Sequence, residues 1–153
     1  MGWLKVGLVA LLTVSASAAQ AGDSYGFRID LSLSAKAASE LARLHEGIVV
    51  AASYYGDPKP AFAKKANEVG QIDLGREEIT VDSTVASVDV TGKAFERGHV
   101  KWLTEGKVMV NVNVYSARRS GPDNILDCDF FDDALTLAQQ APLTLHCKLI
   151  GEP

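Results

Sequence analysis

The chain has 153 residues, 15 of them basic and 19 acidic, giving a formal net charge of −4. That length suits one domain of ordinary size, and mild acidity without a basic stripe argues against nucleic-acid binding. The nearly unbroken apolar run at residues 6–14 is too short to span a bilayer, which takes about 20 residues in a helix.

That run sits in an N-terminal leader. Residues 1–5 carry a positive charge at Lys5, residues 6–14 are apolar, and residues 15–21 are mostly small. These are the n-, h- and c-regions of a secretory signal peptide, in order. Ala19-Gln20-Ala21 fits the small-x-small cleavage rule. The expectation is a signal peptide at 1–21 and a single domain over 22–153. The mature chain is then exported, to the periplasm or alternatively to the exterior. Both are compartments in which cysteines oxidise. No cysteine follows the cleavage point, so no lipid anchor is expected there. The sequence has no N-x-[ST] sequon, which favours the periplasm.

Residues 25–34 alternate apolar and polar with period two. They predict a half-buried strand with Tyr25, Phe27, Ile29, Leu31 and Leu33 facing the core. The period changes at Ser34, a good helix N-cap. Residues 34–44 predict a short helix with Ala37, Ala38, Leu41 and Leu44 on one face. Gly47 follows, where a left-handed residue is wanted. Alone such a helix is marginal, so it must lie on the sheet. Residues 47–55 are β-branched and aromatic and form a second strand. Gly56-Asp57-Pro58-Lys59-Pro60 breaks it. A helical turn is expected within 61–67. Short strands follow at 69–74, 78–81, 85–90 and 100–103, separated by Gly75, Asp82-Ser83 and Thr91-Gly92-Lys93. Residues 104–107 read as a tight turn. Residues 107–116 are the clearest strand of the second half. Val108, Val110, Val112 and Val114 share one face, and Met109, Asn111, Asn113 and Tyr115 share the other. After a polar loop at 118–124 come the last two strands, 125–131 and 143–150.

Between those two strands, Asp132 or Asp133 is placed to cap a helical turn over 134–139. Export makes a Cys128–Cys147 disulfide the default reading. If the strands pair antiparallel around that bridge, paired residue numbers sum to 275 and Phe131 faces Thr144. Opposed residues at a non-hydrogen-bonded site have Cα atoms about 4.5 Å apart, within disulfide reach. Metal ligation by Cys128, His146 and Cys147 is disfavoured, because neighbours on a strand point to opposite faces.

Eight or so short strands with frequent turn residues and little helix predict a mainly β fold. The expectation is an antiparallel β-sandwich with one short helix after the first strand. Immunoglobulin-like and transthyretin-like architectures are the nearest analogies, and they carry no function with them.

The chemistry-bearing motifs are absent. There is no nucleophile elbow, phosphate-binding loop, dinucleotide fingerprint, H-E-x-x-H or C-x-x-C. No cofactor is expected. His45, His99 and His146 are the only histidines, and each reads as structural. An oxygen-rich segment holds Asp123, Asn124, Asp127, Asp129, Asp132 and Asp133. Calcium takes six to eight oxygen ligands. Asp123, Asp127, Asp129 and Asp132 are therefore weak metal candidates, against a simpler reading as a solvated face and helix caps. Tyr54 and Tyr55, beside a proline-stiffened loop, are the best recognition candidates, because one of them must point outward. Arg118 and Arg119 suit a carboxylate or phosphate. The leading expectation is an exported, non-enzymatic binding protein. Its partner is another exported protein, a peptide or a small ligand. The alternatives are an envelope-polymer hydrolase using a His/carboxylate site and a calcium-binding sandwich.

Overall fold

Period-two patterning becomes eight strands in the computed structural model, which describes residues 24–153. The proposed leader at 1–21 lies outside the described residues. In chain order the strands are β1 (Phe27–Leu33), β2 (Gly47–Gly56), β3 (Ile72–Asp82), β4 (Ser87–Val90), β5 (Met109–Ser116), β6 (Leu126–Cys128), β7 (Phe131–Ala134) and β8 (Leu143–Leu149). Helix α1 (Ala35–Arg43) follows β1, and the single turn α2 (Leu135–Ala138) precedes β8. One sheet runs β4-β1-β8-β6 and the other β3-β2-β5-β7. Their inner faces meet in one core. Ile29, Leu31, Val88, Val90, Leu126 and Leu145 come from the first sheet. Ile48, Val50, Tyr54, Leu74, Val110 and Val112 come from the second. The fold is therefore the expected mainly β sandwich. One pairing departs from the antiparallel pattern: β1 and β8 run parallel, Ile29 beside Leu143 through Leu33 beside Cys147.

The helix forms where the period changes. Ser34 Oγ accepts the Ala37 N–H at 3.0 Å, and Ala37 and Leu41 are buried. Ala38 is exposed instead of facing inward. The left-handed residue at the C-terminus is His45 (φ 51°), not Gly47. His45 N–H bonds Ala42 O and Glu46 N–H bonds Leu41 O, the two bonds of a Schellman turn. Gly47 already belongs to β2. Glycine suits it because a Cβ there would lie 2.9 Å from the Val81 carbonyl oxygen.

The break expected at Gly75 and the strand expected at 100–103 resolve differently. Residues 72–82 form one bent strand. Gly75 (φ 106°) sits at a bulge where the register slips between Ser53 and Tyr55. A Cβ on Gly75 would lie 2.1 Å from Ala94 O, so both its backbone conformation and its neighbours demand glycine. Residues Arg97–Trp102 form a 3-10 helix rather than a strand. The segment expected as one strand at 125–131 is two strands in two sheets. Leu126, Asp127 and Cys128 pair with Leu149, Lys148 and Cys147, the expected register. The chain then leaves. Phe131 pairs with Val112 of the opposite sheet and does not face Thr144. Asp129 ends the first ladder twice over. Its N–H bonds His146 O, and its carboxylate accepts the His146 N–H. The turn at α2 is capped by neither Asp132 nor Asp133: its N-cap residue is Ala134.

Cys128 and Cys147 form the expected cross-strand disulfide, with Cα atoms 4.0 Å apart. Buried Glu46 and Glu77 and half-buried Asn124 fasten the loops that pass between sheets. Glu46 accepts from Gly47 N, Arg119 N, Ser120 N and Ser120 Oγ. Glu77 points inward from β3 and accepts from Thr91 N, Thr91 Oγ1 and Gly92 N. Asn124 Oδ1 accepts from Ser116 N, Ser116 Oγ and Leu126 N. Each fills what would otherwise be unpaired backbone donors.

Candidate functional site

The alternation of β2 decides which tyrosine reaches solvent. Tyr54 is 1% exposed, packs in the core and donates its hydroxyl to Tyr25 O at 2.9 Å. Burial, with a further contribution from Glu77, pushes its pKa well above the ordinary phenol value. Tyr54 is therefore not part of the expected recognition surface. Tyr55 is half-buried on the outer face of the β3-β2-β5-β7 sheet.

Tyr55 has an unusual posture for a strand residue. Its hydroxyl donates to Asp132 Oδ1 at 2.6 Å. Asp132 lies on β7, and β5 stands between β7 and β2. Two strand spacings amount to about 9.6 Å. The phenol can cover that distance only by lying down across β5, between the Met109 and Asn111 rows. Burial first, then the Asp132 hydrogen bond and the charges of Asp132, Asp57 and Asp133, push its pKa up to about 12. The hydroxyl stays protonated and the ring stays pinned.

Tyr115 mirrors this arrangement from the other direction. It sits on β5 and donates to Glu78 Oε1 on β3 at 3.0 Å, so its ring crosses β2. The crossing lies between the Val49 and Ala51 rows. Val49 and Ala51, in the rows on either side of that crossing, are buried although they face outward. Arg76 pairs with Glu78, and both Arg76 and the Tyr115 hydroxyl draw the Glu78 carboxyl below its ordinary pKa.

Between the two rings lies a polar floor of Ser53, Asn111 and Asn113. Asn113 Nδ2 donates to Asn111 Oδ1. Two shallow depressions adjoin at Tyr55 and Gln71. One, of about 380 Å³, is also lined by Asn67, Asp73, Arg76 and Asp132. The other, of about 360 Å³, is also lined by Asp57, Thr104, Glu105 and Lys107.

The expected arginines lie at the far end of the same face. Arg118 adopts a left-handed backbone (φ 59°), and its guanidinium sits 5.8 Å from the Tyr115 ring centroid. Arg119 reaches Asp82 at 3.1 Å, beyond the Tyr115 row. Tyr55, Arg118 and Arg119 therefore share one surface, although 62 residues of sequence separate Tyr55 from the first arginine. What sequence reasoning missed is Tyr115, with Glu78, Arg76 and the asparagine floor. The outward alternation of Met109, Asn111, Asn113 and Tyr115 was a signal, but the pinning partners follow only from strand order.

The weak metal candidates are dispersed. Asp127 is exposed on β6, Asp129 bonds the His146 backbone, Asp132 pins Tyr55, and Asp123 lies in the loop before β6. Among the described residues no group of three or more His, Cys, Asp or Glu side chains is placed to hold a metal ion. His99 Nδ1 lies 3.1 Å from Asp73 O, and its ring stacks on Trp102. His146 borders a hollow of about 340 Å³ beside the disulfide, with Ser32, Asp127, Asp129 and Lys148. Among the described residues neither histidine ring hydrogen-bonds a carboxylate. The sheet face can hold a ligand through fixed rings, amides and charges.

No protein family, curated protein or solved structure matches this chain.

Proposed function

We propose that this chain is an exported binding protein that recognises its partner on the outer face of the β3-β2-β5-β7 sheet and performs no chemistry on it. The observation that carries the reading is the pair of tyrosines, Tyr55 and Tyr115, each reaching across a central strand and pinned by a carboxylate beyond it. A ring fixed in this way loses little freedom on binding, so more of its contact energy appears as affinity. Arg118 and Arg119 extend the face at one end. The disulfide and the leader-like N-terminal sequence support export.

The test is a triple variant, Tyr55→Ala/Arg118→Ala/Arg119→Ala, immobilised beside the wild type and exposed to envelope extract. A specific partner, protein or glycan, should be retained by the wild type and lost by the variant at an unchanged melting temperature. Equal retention by the two would remove this face from the function.

A further inference from the structure

From the pinned rings and the amide floor, we infer that the ligand of this face is a linear, uncharged saccharide chain, lying along the strands from Tyr55 to Tyr115. The inference rests on the binding reading above and names its ligand class.

The geometry comes from the register. The Tyr55 crossing lies between the Met109 and Asn111 rows, and the Tyr115 crossing lies on the Asn113 side of its own row. Four residues along a strand separate the crossings, about 14 Å. A short run of pyranose rings spans that distance, with one ring of the ligand over each tyrosine. The C–H face of a sugar packs on an aromatic ring, and its hydroxyls ask for partners that both donate and accept. Side-chain amides do both. The Asn113–Asn111 bond leaves Asn111 a donor and Asn113 an acceptor that are unpartnered among the described residues. Both residues lie on the outer face of β5, in the rows between the two crossings.

Two observations separate this ligand from others. β2 and β5 are paired on both sides, so this part of the face offers side chains and no backbone groups. An extended peptide docking by strand addition needs those backbone groups. At the Tyr55 end charge disfavours a polyanion, while at the other end Arg118 stands beside the Tyr115 ring and Asp82 meets Arg119. Around Tyr55 stand Asp57, Asp73, Glu105 and Asp132, against Lys107 and an Arg76 whose charge Glu78 already meets. A neutral chain feels no such repulsion.

The experiment titrates the isotope-labelled protein with cellohexaose, chitohexaose and maltohexaose, with a galacturonic acid hexamer as the anionic comparison. The expected result is saturable movement of the Asn111 and Asn113 side-chain amide signals with at least one neutral hexamer, stronger than with the anionic one. Tyr55→Ala and Tyr115→Ala should each weaken that binding by about tenfold or more. Tyr55→Phe, which keeps the ring and loses the tie to Asp132, should weaken it measurably but less than Tyr55→Ala does. Asn113→Ala, at an exposed position, provides a variant that does not depend on the tyrosine packing and should also weaken it. Silence from all three neutral hexamers overturns the saccharide, as does unchanged binding in both Tyr55→Ala and Asn113→Ala. If no hexamer binds but the triple variant still loses a protein partner, the face stands and the saccharide falls. If neither effect is seen, both fall.

Discussion

Glu46 is a buried carboxylate with no salt-bridge partner among the described residues; its charge is met by hydrogen bonds. Burial alone would raise its pKa. The Ser120 hydroxyl and the N–H groups of Arg119, Ser120 and Gly47 outweigh that and hold it at about 2. The folded pKa thus lies below the unfolded one, so Glu46 stabilises the fold fully above the unfolded value. That contribution is lost as pH falls from 4.5 towards about 2. The shift corresponds to roughly 3 kcal/mol at most. Urea unfolding should show stability dropping between about pH 5 and pH 3, and Glu46→Gln should flatten that drop while costing roughly 2 kcal/mol at neutral pH. An acid limb identical in the variant would contradict the assignment. Gly75 supplies a second prediction. Its φ of 106° and the 2.1 Å approach of Ala94 O leave no room for a methyl group. Gly75→Ala should cost about 2 kcal/mol or more by urea unfolding. Gly98→Ala, where a Cβ meets nothing within 4 Å, serves as the control. Among single residues, sequence alone pointed to one outward tyrosine at Tyr54-Tyr55. It could not say which, because that depends on where β2 begins relative to the core.

The elements themselves were largely legible. Alternation marked β1, β5 and β8, β-branched and aromatic composition marked β2, and the period change at Ser34 marked α1. Sheet membership was not legible. Residues 125–131 alternate as one strand, yet Asp129 and Phe130 carry the chain from one sheet to the other. Nothing local distinguishes a strand that continues from one that changes sheets. The same limit hid half of the candidate site. Tyr115 is useful only because Glu78 lies across β2 from it, and that adjacency is a property of strand order. Gly75 misled because a glycine bulge and a glycine turn look alike without their partner strand. Helix α1 offers tests at both ends. Ser34 caps the N-terminus and also donates to Glu152, which accepts from Leu149 N. Ser34→Ala should cost about 1–2 kcal/mol. At the other end, His45 holds a left-handed conformation that glycine adopts freely. His45→Gly should stabilise the protein by about 0.5–1 kcal/mol, read as a raised urea midpoint.

At the scale of the molecule, the disulfide and the order of strands act together. Cys128–Cys147 closes a loop with a sequence separation of 19 and ties the short edge strand β6 to β8. Replacing both cysteines by alanine should remove about 3 kcal/mol. Equal urea midpoints for oxidised wild type and the double variant would show that the loop is held by packing alone. The parallel β1–β8 pair has a different kind of consequence. Among the described residues the strands farthest apart in sequence, β1 and β8, are neighbours in the middle of one sheet. While the ribosome is still adding residues, β1 has only the four-residue β4 to lean on, and one of its flanks stays open. Such end-to-end contact is the slowest kind to make. This sheet therefore stays incomplete, with β1 and β6 unjoined, until β8 has been made.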